Sequence, residues 1–164
     1  MFTRASKNGI RSVLFLANNS SAKKKLGAKF VAEKLEIPAP FLAKILQKLS
    51  KNDIISSVKG PHGGFYLNKE NTQKTLLDVI LCIDQSNKLE ECFLGQLECN
   101  NEKPCVVHHI YKPFKKQMLL EVKTKTIAEV AIHFKKNRLD YNDLTAPFKP
   151  YLPTNQTKIV DDDE

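Results

Sequence analysis

The sequence predicts a mainly α fold: three short helices, a two-stranded β wing and, further on, a long C-terminal helix. Three observations predict it. Ile54 to Leu67 reads as strand, glycine-rich tip, strand. Ile54, Ile55 and Val58 suit a pleated, half-buried surface, and Gly60-Pro61-His62-Gly63-Gly64 is a turn whose three glycines permit positive φ and close backbone approach. Directly before it, Phe41 to Leu49 has the spacing of a short helix. Finally, the net charge of +8 is unevenly placed: residues 1–69 hold 13 Lys and Arg against 3 Asp and Glu, a balance of +10, whereas residues 70–164 hold 13 against 15, a balance of −2. A helix followed by a basic-tipped ribbon, in the half that carries the positive charge, is the pattern of a winged helix-turn-helix that grips a phosphate backbone.

Each element follows in order. Ile10, Val13, Leu14 and Ala17 recur at i, i+3, i+4 and i+7 and predict a first helix over 7–18, ended by Asn18-Asn-Ser-Ser-Ala22. Lys23 to Lys25 is a loop charge run. A second helix spans 27–36 with Ala28, Val31, Ala32 and Leu35 inward, and Ile37-Pro38-Ala39-Pro40 is the turn after it. Proline is tolerated in a first helical turn because its missing N–H would lack a partner there anyway. The third helix runs from about Pro40 to Asn52, with Phe41, Leu42, Ile45, Leu46 and Leu49 as its core stripe. Ala39, Ala43, Lys44, Gln47, Lys48 and Lys51 stay outside, where a recognition helix meets the major groove.

Beyond the wing, Thr75 is placed to cap a helix containing Leu76, Leu77, Val79, Ile80 and Ile83. Residues 85–106 form a long polar loop, and a helix over roughly 107–122 follows. Val107, Ile110, Phe114 and Met118 make its apolar stripe, with Lys112, Lys115 and Lys116 opposite and Pro113 as a kink or a true start. Such a stripe packs either within the subunit or against a second copy. Thr126-Ile-Ala-Glu129 has the form of a capping box and opens a last short helix. The tail, with Pro147, Pro150, Pro153 and an acidic end, is expected to be disordered. The organisation expected is therefore a DNA-binding unit over 1–70, a sensor loop and dimerisation helix over 71–135, and a tail over 136–164.

A hydrophobic content of 41% is ordinary for a globular chain, and no apolar run approaches a membrane span. The start shows no signal-peptide pattern, so a cytoplasmic protein is expected, and the sequons at Asn19 and Asn155 are chance matches. In that compartment clustered cysteines point to metal or redox chemistry rather than structural disulfides. Cys92, Cys99 and Cys105 fall in one polar loop, and His108 lies three residues past the last of them. Thiolates are soft ligands suited to iron–sulfur clusters and zinc. Cys82, inside Val79 to Ile83, reads instead as a small core residue, and His109 as solvated.

These residues together carry a family resemblance. The first helix with Ile10-Arg11, the block Ile37 to Leu67 with its Gly-Pro-x-Gly-Gly wing, and the three-cysteine loop before a long helix resemble the Rrf-two-type winged-helix transcription regulators. The likeness covers about residues 6 to 135 and lies with the cluster-binding branch, which includes IscR-type cluster regulators and NsrR-type nitric-oxide sensors. It implies a homodimer with crossed long helices, a near-palindromic double-stranded operator, and operator affinity set by an iron–sulfur cluster, of two-iron or four-iron type, on Cys92, Cys99 and Cys105. Lys7 stands where nitric-oxide-sensing members place a ligating carboxylate, so His108, in a Cys-x-x-His position, becomes the fourth-ligand candidate. Cys92 to Cys99 is one residue longer than in similar members. Asp53 replaces a turn glycine, and Ala43 and Lys44 replace the Glu and Gln of the cluster-biosynthesis regulator, so its operator does not transfer.

The candidate DNA-binding residues are Lys7, Arg11, Ala39, Pro40, Ala43, Lys44 and Lys48 on the helices, and Lys59, Gly60, Pro61 and His62 at the wing. Two alternatives keep the DNA-binding fold: a metal-free thiol switch and a regulator with structural zinc. An enzyme with Cys105 as nucleophile and His108 as base is disfavoured, because no third orienting residue and no phosphate loop accompany them. Neither a membrane nor a small-molecule substrate is expected as a partner.

Overall fold

The computed structural model describes residues 3–84, 91–95 and 101–136. Helix α1 spans Arg4–Asn19, α2 Ala28–Lys34 and α3 Ala39–Lys51. The Thr3 hydroxyl accepts from the Ser6 amide at the start of α1, satisfying one of the donors that a helix leaves open there. Pro38 occupies the N-cap of α3 and Pro40 its first turn. The helix ends where Asp53 turns to φ 56° and the Ile54 amide reaches back to the Leu49 carbonyl at 3.0 Å. Asp thus takes the left-handed position that the sequence assigns to it.

The wing is an antiparallel pair, β1 (Ser56–Val58) and β2 (Gly64–Tyr66), with Ser57 opposite Phe65. Gly60 sits at φ 108° and Gly64 at φ 151°. A Cβ on Gly63 would lie 2.2 Å from the Val58 carbonyl oxygen, and one on Gly64 would lie 2.8 Å from the Leu26 carbonyl. The second approach exists because Leu26 pairs with the outer edge of β2: its amide donates to the Phe65 carbonyl at 2.9 Å, and the Phe65 amide donates back at 2.8 Å.

Three capping boxes set the elements that follow. Asn68 and Asn71 exchange bonds before α4 (Lys69–Thr72), Thr75 and Asp78 before α5 (Leu76–Asp84), and Thr126 and Glu129 before α7 (Ile127–Lys136). The backbone and side-chain bonds from Thr126 hold the Glu129 carboxyl below its usual range. The long helix α6 covers His108–Thr124 and runs through Pro113 in its second turn, so the proline marks neither its start nor its end.

The main core joins α1, α2 and α3 through Val13, Leu16, Val31, Leu35, Leu42, Leu46 and Leu49, all of them fully or almost fully buried. Val79 and Ile83 of α5 and Ile127 of α7 belong to the same core. Packing therefore continues across residue 70. A smaller cluster, Ile80 with Val122 and the half-buried Leu77, Met118 and Leu119, seats α6 on α5. One position of the expected α3 core stripe lies outside, Phe41 at 36% exposure, and Val58, expected half-buried, is 44% exposed. Phe41 is the third residue of α3 and lies in its exposed first turn, beside Ala39 and Pro40.

Candidate nucleic-acid interface and thiol site

Pro40, Lys44, Gln47 and Lys51 lie at i, i+4, i+7 and i+11 on the face of α3 opposite Leu42, Ile45, Leu46 and Leu49, and all four are exposed. Ala39 is exposed beside them and Ala43 is half-buried. Lys59, Gly60, Pro61 and His62 form the exposed wing tip, closed by a hydrogen bond from the Gly63 amide to the Gly60 carbonyl at 2.9 Å. Lys7 is exposed on the first turns of α1. Lys25 of the loop run sits over the Tyr66 ring at 6.0 Å, while Lys23 and Lys24 stand exposed.

Two of the predicted DNA-binding cations are engaged inside the protein. The Arg11 guanidinium donates to the Leu35 carbonyl at 2.8 Å and to Asn8 at 3.2 Å, closing the C-terminal end of α2. The Lys48 ammonium donates to the Ile83 carbonyl at 2.9 Å, in the last turn of α5. Both side chains take partners from helices that sequence periodicity does not place beside them.

The second site lies at the foot of α6. Cys92 is buried, Cys105 half-buried, and their Sγ atoms are 3.8 Å apart. A disulfide would hold them near 2.04 Å, so these are two thiols. The His108 amide donates to the Cys105 carbonyl at 2.9 Å, which starts the helix, and the buried His108 ring shares a hydrogen bond of 3.0 Å with Asn101. Asn101 also accepts from Lys112. Cys99 lies outside the described residues. Among the described residues no three metal-binding side chains gather, so the structure brings Cys92 and Cys105 together and leaves His108 on Asn101. Two adjacent thiols, one buried, are a donor set that fits a soft metal or a cluster.

Lys115 was expected among the solvated lysines. It is buried instead, and its ammonium donates to the Glu91 carbonyl at 3.3 Å, one residue before Cys92, and lies 6.0 Å from the centre of the Tyr111 ring. His108, Lys115 and Val122 recur at seven-residue intervals and form the buried seam of α6. That interval is readable in the sequence and is the signal that would have found Lys115. The apolar side chains Ile110 and Phe114 point outward, at 68% and 61% exposure. With Phe93, whose ring centre is 5.2 Å from that of Tyr111, they form an apolar patch directly beside Cys92. Cys82, half-buried between α5 and α3, packs on the main core as expected, and burial pushes its thiol pKa up.

A three-helix core, an exposed basic face on its third helix and a glycine-tipped wing define a winged-helix DNA-binding transcription regulator. The chain belongs to the family described as "Rrf2: Iron-dependent Transcriptional regulator", whose model matches residues 2–133. It is 39% identical, over 61% of its length and 71% of the relative's, to a protein of Aquifex aeolicus (strain VF5) described as an HTH-type transcriptional regulator. It is 29% identical to the HTH-type transcriptional regulator IscR of Photorhabdus laumondii, over half of this chain and 49% of that one. Among solved structures it resembles T. potens IscR with a TM-score of 0.62 and 17% identity, covering 85% of this chain and 91% of that one, a likeness of fold. These relatives are regulators, so the enzymatic alternative falls. Among the described residues no helix is long and apolar enough to cross a membrane.

Proposed function

We propose that this regulator binds its operator as a homodimer and that an iron–sulfur cluster, held by Cys92, Cys99 and Cys105 with His108 as fourth ligand, sets its operator affinity. The observation that carries the reading is the Cys92–Cys105 thiol pair at 3.8 Å, seated between the apolar patch and the foot of α6. The IscR relatives and the iron-dependent description of the family support the same cofactor. Such a cluster supplies iron that reacts with nitric oxide or oxygen and is lost under iron shortage.

The chain's own residues do the rest. The positive N-terminal half gives sequence-independent affinity by displacing counterions from the duplex. Ala39, Pro40, Ala43 and Lys44 meet the major groove, Lys7 approaches the backbone, and Lys59 to His62 lie along the minor groove. Ile110 and Phe114 are covered by the α6 of a second copy, because an exposed apolar patch of this kind marks an interaction surface. Phe93 belongs to both the patch and the cysteine segment, so ordering that segment changes the surface the partner meets. His108, whose ring bonds Asn101, would hold the cluster as fourth ligand on giving up that hydrogen bond.

The test is an anaerobic visible spectrum of freshly purified protein with iron and sulfide assays, followed by operator binding with and without the cluster. Brown protein with both elements and different affinities in the two states supports the proposal; identical affinities overturn it. The thiol pair itself favours a second reading, in which Cys92 and Cys105 close a reversible disulfide under oxidation. Colourless protein whose DNA binding follows oxidant alone would select that reading. Colourless protein that retains zinc and ignores oxidant would select the structural-zinc variant.

A further inference from the structure

Three residues in the last turn of α5 make contacts that leave the helix. The Cys82 thiol faces the Lys48 carbonyl at 3.7 Å, the Lys48 ammonium returns to the Ile83 carbonyl at 2.9 Å, and the Thr3 hydroxyl donates to Asp84. The Ile83 carbonyl is among those a helix end leaves without an intrahelical donor, and a cation is favourable there for the same reason. The pairing between residue 48 and residues 82–83 therefore runs in both directions. It locks the recognition helix to the end of α5, from which the chain leads towards the cysteine segment at 91–95.

We infer that Lys48 is a positioning residue: a strut that carries the state of the cysteine segment to the recognition helix of the same subunit, and not a contact to DNA. The inference rests on the proposed cofactor control. When the segment beyond residue 84 is held or released, α5 shifts on α6, and Lys48 obliges α3 to shift with it. Without the strut, α3 still packs with Val79 and Ile83 of α5 in the main core but loses its hydrogen bond to the turn that moves.

The experiment compares full-length wild type, Lys48→Met and Lys48→Arg. Binding to a duplex selected by the wild type from a randomised pool is measured at several salt concentrations, with and without cluster. Coupling in such systems is about 5–150-fold. Lys48→Met should bring the ratio of the two affinities close to one, and Lys48→Arg, which can still donate to Ile83, should restore it. Neither should change the slope of affinity against salt. A slope shallower by about 0.9 in Lys48→Met, with the ratio intact, would mean a phosphate contact and overturn the inference. A Lys48→Met protein unchanged in both ratio and slope would overturn it as well. Amide hydrogen exchange of DNA-free, cluster-free protein reads the strut separately: residues 80–84 and 45–49 should both exchange faster in Lys48→Met, and unchanged exchange would refute the strut. If wild type binds no iron or shows no affinity ratio, the proposed function fails, and the exchange result alone then decides whether Lys48 ties α3 to α5.

Discussion

The helical unit around α3 and the foot of α6 are built on different terms. Around α3 the interior is mainly aliphatic: Val13, Leu16, Leu35, Leu42, Leu46 and Leu49 are all wholly enclosed, and the polar groups enclosed there, Ser6, Asn8 and Ser12, are uncharged. At the foot of α6 the enclosed groups include a thiol, an imidazole and an ammonium, those of Cys92, His108 and Lys115, while Ile110 and Phe114 face outward. Aliphatic burial is favourable without further conditions, whereas a buried polar group is costly unless its partner is supplied. The first region is therefore a platform whose shape is self-sufficient. The second stores conditional contacts, which is what the proposed sensing role requires.

The comparison can be broken most severely at its aliphatic end. Leu46→Ala should lower unfolding stability by about 2–5 kcal/mol, the range for emptying an enclosed leucine site. Val122→Ala, in the thinner α5–α6 cluster, should cost only about 1–2 kcal/mol. Chemical denaturation of the two variants checks this, and equal losses would erase the contrast. At the conditional end, Lys115→Met removes the donor to the carbonyl of exposed Glu91, where water can replace it, a loss of about 0.5–1.5 kcal/mol. In cluster-free protein it should also speed alkylation of Cys92, followed by mass spectrometry, because the bond that holds the preceding residue is gone. Unchanged labelling would show that Lys115 does not fasten that segment.

Smaller effects sharpen the boundary between the regions. Thr75→Ala removes the hydroxyl that accepts from the Asp78 amide and should cost about 0.5–2 kcal/mol, read in thermal melts. Cys82 gives a pH signature. Burial raises its thiol in the folded state above the ordinary value of 9.0, with Lys48 lowering it in part. The contribution is present below that value. As pH rises past it the unfolded chain ionises first and stability falls, until the folded thiol also ionises. Denaturation between pH 8 and 10 should show a shallower decline in Cys82→Ala than in wild type, and identical slopes would remove the thiol from the account.

What was legible in the sequence was local. The stripe of α3 apart from Phe41, the glycine wing, the left-handed Asp53, the cap at Thr75 and the box at Thr126 are signals spanning a few residues, and each appears where its chemistry places it. The Asn68–Asn71 box before α4 went unread because asparagine stands at both ends in place of the usual hydroxyl and carboxyl pair. What escaped was the far end of long cations. Arg11, Lys48 and Lys115 look like solvated or DNA-facing charges in a linear reading, yet each finds a backbone carbonyl at least 24 residues away in the chain. Periodicity assigns a side chain to a face of its own helix; it carries no information about which helix end arrives opposite. The thiol pair lies between these cases: its members were identified by type and clustering, but the closeness of Cys92 to Cys105, and the attachment of His108 to Asn101, belong to tertiary structure.

The bridge between Leu26 and Phe65 has a further consequence. With β2 hydrogen-bonded on both edges, and Gly64 drawn so close to Leu26 that a side chain has no room, the wing cannot swing independently of the helical body. Recognition helix and wing tip then behave like the two jaws of a caliper fixed at one opening. In the proposed dimer, a shift of α3 that Lys48 transmits would carry the wing with it and reset one caliper against the other, so a signal should change the preferred distance between half-sites more than the footprint of each.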